Sequence, residues 1–249
     1  MTPSRLTGAT AYMKAVRGLL DEIEQTQTEA LDHAASAFVD TIKRDGSIFL
    51  FGSGHSHMLA EEGHYRAGGL ACITPILVDP LMLHAGALRS TAVERSKGLA
   101  AGLLATYSPQ HGDLLMVFSN SGVNAVPVEM AMAGKAAGMT VIAVISAAYA
   151  EAATLGAAGK KLGEVADIII DNKGIAGDAI VLVGESGLRV APTSTVTGAF
   201  ILDAIVAEVS ARLHAEGLPL PVYVSANVPG AADHNRELIA RFRERNPHL

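Results

Sequence analysis

The chain has 249 residues and a formal charge of −6; 49% of it is hydrophobic, 4% is aromatic, and tryptophan is absent. That is enough apolar surface for a large core of Ala, Val, Ile and Leu, while the lack of any basic run excludes the clustered positive footprint of a nucleic-acid binder. One cysteine, Cys72, cannot staple the domain, and its apolar setting reads as a buried, inert thiol in a reducing, cytoplasmic compartment.

Residues 1–8 are polar and lack the apolar centre of a signal peptide, and the apolar stretch 139–150 is too short to span a bilayer. Residues 10–44 read as helix. Met13, Val16, Leu20 and Ile23 repeat at helical spacing, as do Leu31, Ala35, Phe38 and Ile42, and polar residues 25–28 between them predict two helices or one bent helix. The period then changes. Short continuous apolar runs at 47–51, 73–78, 114–118, 140–145 and 165–170 each end in polar or glycine residues, the pattern of strands buried on both faces. Helical segments at 57–67, 93–106 and 125–137 lie between them. Alternating strands and helices predict an α/β protein with a parallel sheet covered on both sides. A weaker strand pair is expected at 179–183 and 188–190. A long apolar helix is expected at 195–216, with Ser194 or a neighbouring threonine as its cap. A loop-rich stretch, 217–233, precedes a charged final helix at 235–245. No linker divides the chain, so residues 1–249 read as one domain: helices to residue 45, a core at 46–216, and a tail.

Two segments carry the chemistry. Gly52, Ser53, Gly54, His55 and Ser56 lie where the first buried strand turns into a helix. Glycines permit a tight turn, and a helix N-terminus offers free N–H groups to an anion. The run lacks the lysine of a P-loop and the third glycine of a dinucleotide fingerprint. Ser119, Asn120, Ser121, Gly122, Val123 and Asn124 occupy the equivalent place after the third strand. Ligands of open α/β sheets bind outside such strand ends. Together the loops predict a hydroxyl-lined anion site without arginine, suited to a phosphate monoester.

Gly-x-Gly-x-Ser followed by Ser-x-Ser-Gly resembles the signature pair of the sugar isomerase (SIS) domain. The segment Ala191-Pro-Thr-Ser-Thr195, opening a helix through Asp203 and Ala204, is similar to the corresponding helix start in sugar-phosphate isomerases of that family. The opening helices, residues 225–230 and Asp233-His234-Asn235 also resemble a bacterial subgroup of phosphosugar isomerase-like proteins. The resemblance implies a three-layer α-β-α sandwich with a five-stranded parallel sheet, assembled as dimers or tetramers. It implies phosphate contacts from Ser56, Ser119 and Ser121, with Asn124 where the family usually has threonine, and sugar contacts at the Ser194–Thr195 helix start.

His57, Glu61 and His64 recur at i, i+4 and i+7, within about 60° on one face of a helix. Glu62 lies beside them. Aldose–ketose isomerisation needs a base to move a proton between adjacent carbons, a task that carboxylates and histidines suit. The resemblance implies a glutamate base on this helix, here Glu61 or Glu62, and a late histidine, here His234, sometimes offered to a neighbouring subunit. The bland alternatives are a salt-bridged helix start and a helix cap formed by Asp233. No cofactor is expected. The His57, Glu61 and His64 spacing also suits a divalent metal, though most such spacings bind none. Glu94 and Arg95 follow the second strand by a long loop and could line the sugar site, but read more simply as a surface pair. The expected function is binding and isomerising a sugar phosphate, with no nucleic-acid or membrane partner. The alternative is a non-catalytic phosphosugar sensor.

Overall fold

A computed structural model describes residues 6–249; residues 1–5, part of the polar segment read against a signal peptide, lie outside the described residues. Two helices open the chain, α1 (Thr7–Thr26) and α2 (Thr28–Lys43), broken at Gln27 within the polar interruption the sequence shows. Five strands come next: β1 (Ile48–Gly52), β2 (Ile73–Ile76), β3 (Leu114–Phe118), β4 (Thr140–Ile145) and β5 (Ile168–Asp171). They form one parallel sheet in the order β2-β1-β3-β4-β5.

Strand side chains alternate between two buried layers, as the period of two requires. Ile48, Leu50, Leu114, Met116, Phe118, Ile142 and Val144 pack on one face. There they meet Phe38 and Val39 of α2, Leu59 of α3 (His57–Gly63), and Ile201, Leu202, Ile205 and Val209 of α8 (Ser194–Ala215). Phe49, Phe51, Leu115, Val117, Val141 and Ala143 pack on the other face. Their partners include Ala100 and Leu104 of α5 (Ala100–Ala105), and Val126, Val128, Met130 and Ala131 of α6 (Ala125–Ala136). The sheet is therefore sandwiched between helices, the architecture expected. No helix among the described residues is long and apolar enough to cross a membrane.

Four elements depart from the sequence reading. The segment expected as one helix over 93–106 is two, α4 (Ala87–Glu94) and α5, separated where Gly98 takes a left-handed φ of 80°. The helix after β1 stops at Gly63 rather than residue 67. His64 turns extended and Tyr65 adopts φ 46°, while Gly63 lies so close to Leu50 that a Cβ there would meet its Cδ1 at 2.4 Å. A short helix α7 (Ala147–Ala152) follows β4 and is capped by the Ser146 hydroxyl, which accepts from the Tyr149 N–H. The last helix, α9 (Ala231–Phe242), begins four residues early, with Gly230 rather than Asp233 at its N-cap.

The weak strand pair forms as expected: β6 (Ala179–Leu182) and β7 (Arg189–Pro192), antiparallel and separate from the main sheet. Just ahead of β6, Asp178 caps α8. Its carboxylate accepts from the N–H groups of Thr193 and Ser194 at 3.0 and 2.9 Å, and from the Ser194 hydroxyl at 2.6 Å. Of the two expected caps, the neighbouring threonine, Thr193, holds the N-cap position without a side-chain cap bond, and Ser194 is the first helical residue. A helix N-terminus deprived of its cap loses roughly 1–2 kcal/mol. Asp178→Ala is therefore expected to lower the unfolding free energy by about 1–2 kcal/mol, read as a lower urea midpoint at unchanged m-value. A midpoint within a few tenths of a kcal/mol of the parent would show that the cap contributes nothing.

Cys72 is buried, 2% exposed, and burial pushes its thiol up to about 12, in line with the inert reading.

Candidate functional site

β1 and β3 are adjacent, with Gly52 level with Phe118. The chain leaves β1 toward β2 on one side and returns at β3 on the other, so this pair marks the point where strand order reverses. In open α/β sheets the ligand crevice lies there, beyond the strands' C-terminal ends. Loops 52–56 and 119–124 leave those two ends.

Tight packing holds the first loop. A Cβ on Gly52 would lie 2.3 Å from the Ser56 carbonyl oxygen, and Gly54 has φ 59°. A single 3-10 turn, Gly54–Ser56, leads into α3. His57 is 5% exposed, and its Nδ1 pairs with the Gly54 carbonyl. A carbonyl only accepts, so Nδ1 carries a proton, and Nε2 lies 3.9 Å from Glu61 Oε1.

The second loop turns at Gly122, φ 64°. Its Asn120 is oriented by a chain of bonds. The Gly174 N–H donates to Asn172 Oδ1 at 2.9 Å, which fixes Asn172 Nδ2 as the donor to Asn120 Oδ1 at 2.9 Å. Asn120 Nδ2 is therefore the leftover donor, buried and without a partner. Such an atom costs on the order of 1–3 kcal/mol unless something accepts from it.

Asn120 lines a water-sized crevice of about 10 Å3 with Ser56, Ser119, Asn172, Ser194 and Thr195 and apolar side chains. Three separated segments thus deliver five of the expected binding residues to one opening, and the N-terminus of the 22-residue α8 lies there with them. Ser121 and Asn124 of the 119–124 loop also line an open cleft of about 570 Å3, together with Arg95, Tyr149, Thr154 and Gly156, among others. Arg95 lines this cleft and not the hydroxyl-lined crevice.

Glu94 ties the two loops together. Ser53 Oγ donates to its Oε2 at 2.8 Å and Asn124 Nδ2 to its Oε1 at 2.9 Å. Burial raises its carboxyl above the usual range, and the Ser53 hydrogen bond only partly opposes this.

The remaining candidates are dispersed. Glu62 is paired with Arg66 on the exposed side of α3, and Glu61 is half-exposed. His64 lies beyond the helix end, its ring against Tyr65 and His248 with centroids at 6.1 and 6.2 Å, so the expected three-residue face of His57, Glu61 and His64 does not form. Among the described residues no three His, Cys, Asp or Glu side chains gather as a metal cage. His234 Nε2 donates to the Val222 carbonyl at 2.8 Å, while Asn235 clamps Val224 through both its N–H and its carbonyl. Within one chain, this pair fastens the tail. His55, within the first loop, is exposed.

The family model of the SIS domain matches residues 11–146. The chain belongs to the SIS domain family. A UPF0309 protein of Brucella anthropi is 46% identical over 239 residues, covering 96% of this chain and 95% of its own length. Another, from Brucella canis, is 44% identical and covers 93% of both. Among solved structures, a phosphoheptose isomerase from Francisella tularensis is similar in fold, with a TM-score of 0.53 at 18% identity over 84% of this chain and 99% of that one. An Escherichia coli protein solved in complex with a sugar phosphate gives a TM-score of 0.51 at 15% identity, covering 82% of this chain and 89% of that one.

For this SIS domain, the sequence located the loops and missed what joins them. Asn172 follows a buried strand, the same signal that marked Ser119–Asn124, but as one of two polar residues it carried too little weight. Glu94 lies inside what reads as one continuous helix. Only the break at Gly98 makes it a terminal residue of α4, turned toward both loops.

Proposed function

We propose that the protein binds a sugar phosphate and isomerises it by proton transfer between adjacent carbons. The phosphate sits on the Ser119–Asn124 loop, between the N-termini of α6 and α8, and the sugar occupies the cleft beside Arg95. One observation carries this reading: the unpartnered Asn120 Nδ2 among Ser56, Ser119, Ser194 and Thr195, a donor set that an anion's oxygens satisfy. Helix dipoles and Arg95 supply the positive potential that a chain of charge −6 otherwise lacks. Solved relatives in fold that act on or hold sugar phosphates are consistent with it. The chemistry calls for no redox cofactor. The reading also makes the protein a cytoplasmic homodimer or homotetramer, for which the exposed Leu182, Val183, Leu188 and Val190 of the hairpin offer apolar surface.

A thermal-shift panel of phosphosugars, with parent sugars as controls, tests it. Stabilisation by the phosphorylated members alone is expected. Asn120→Asp keeps the acceptor for Asn172 but sets a charge against the phosphate. Losing one charged hydrogen bond, worth roughly 1.5–3 kcal/mol, weakens binding by about tenfold or more. Equal shifts from sugar and phosphosugar, or no shift, would overturn the reading. The pairing of Glu62 with Arg66 favours a second reading, a non-catalytic sensor, in which binding occurs without turnover.

A further inference from the structure

The geometry points to Glu94, at the end of α4 outside both signature loops, as the carboxylate that carries the substrate proton. The inference rests on the phosphosugar reading above. Glu94 is hydrogen-bonded to a residue of each loop, Ser53 and Asn124, and Asn124 itself lines the cleft beside Arg95, the next residue in the chain. Glu94 is thus one hydrogen bond from a cleft-lining side chain and one peptide unit from Arg95, within reach of a ligand held by these loops. The carboxylates of α3 are placed differently, Glu62 being tied to Arg66 and Glu61 half-exposed. Two donors fix the Glu94 oxygens in position, and burial holds its pKa nearer neutrality, where a general base works best.

In the step, a Glu94 oxygen takes the proton from C2 of the open-chain aldose. The C2–H electron pair becomes the C1=C2 bond and the carbonyl pair moves to O1. Glu94, now a carboxylic acid, delivers the proton to C1 while the O2 proton passes to O1. The ketose forms, the carboxylate is regenerated, and no electron is gained or lost. Ser53 and Asn124 act as positioning residues.

The experiment incubates the intact protein in D2O with the phosphosugar that stabilises it most, and monitors deuterium at C1 and C2 by NMR. Glu94→Gln keeps size and one acceptor but cannot take a proton. It is expected to retain the thermal shift within about threefold in apparent affinity while exchange falls by about 10³-fold or more. Glu94→Asp is expected to recover a measurable fraction. The wild-type exchange rate should drop as pH falls through a value above the ordinary carboxylate range, because the base must be ionised, and Glu94→Gln should lack that limb. Exchange in Glu94→Gln at the wild-type rate, or binding by the wild type without any exchange, overturns the role of Glu94 while leaving the binding reading intact. Absence of binding by every phosphosugar overturns the binding reading, and the role of Glu94 falls with it.

Discussion

Gly52→Ala is expected to weaken phosphosugar binding by about a hundredfold, the equivalent of one or two charged hydrogen bonds at roughly 1.5–3 kcal/mol each. The methyl group would stand 2.3 and 2.4 Å from the carbonyl oxygen and carbon of Ser56, which are backbone atoms and do not rotate away. Either the first turn of the loop opens or β1 withdraws from β3, and each movement displaces Ser53 and Ser56 from the ligand. Forcing an extra carbon into such a fit costs about 1–3 kcal/mol of stability, which the protein can absorb while staying folded. Calorimetric titration of the folded variant checks the affinity, and a value within threefold of the parent would show that the loop is not the grip. The substitution separates two meanings of a glycine-rich turn. A merely structural turn would lose stability and keep affinity.

Asp113→Ala is expected to cost about 3–5 kcal/mol, the largest stability loss among these substitutions. Asp113 is 1% exposed and sits before β3, at the sheet end opposite the ligand loops. Its Oδ1 accepts from the Ser47 N–H at 2.8 Å, and its Oδ2 from the Gln110 N–H at 2.7 Å. Arg245 adds a two-pronged pair at 3.2 and 2.6 Å. Removing the carboxylate strands two backbone donors and a partly buried guanidinium at once. Urea unfolding measures the loss, and a change below about 1 kcal/mol would show that water or rearrangement replaces the bonds. Phosphosugar affinity of the folded protein is expected to stay the same, since the network lies at the far ends of the strands. The two variants thus divide the sheet into a ligand end and a fastening end.

Much of this was legible in the sequence. The strands were, because a residue buried on both faces leaves no polar period: Leu114–Phe118 is five apolar residues with Ser119 after them, and the structure begins and ends β3 there. The two candidate loops were legible for the same reason, since each begins directly after such a run. Helix ends were less so. Nothing in the composition of residues 57–67 announces that Gly63 presses on Leu50 and that His64 must therefore leave the helix. The capping of α8 by Asp178 and the bridging of two loops by Glu94 were hidden because both are contacts between segments far apart in the chain, which local period and propensity do not encode.

The helices that open the chain pack under the one that succeeds the hairpin. Tyr12 donates to the Pro192 carbonyl, and Asp32 pairs with Arg212, each across 180 residues. During synthesis, one side of the sheet is covered by segments made alongside the strands. The other must wait for α8. At about 5–20 residues per second, the roughly 170 residues from the end of α2 to Leu213 take on the order of ten to thirty seconds to emerge. Phe38, Ile48 and Leu50 lack the cover of α8 for most of that interval, and Met116 for roughly its second half. Substitutions on the inner side of α8 are therefore expected to depress yield more than they depress the stability of the molecules that finish folding.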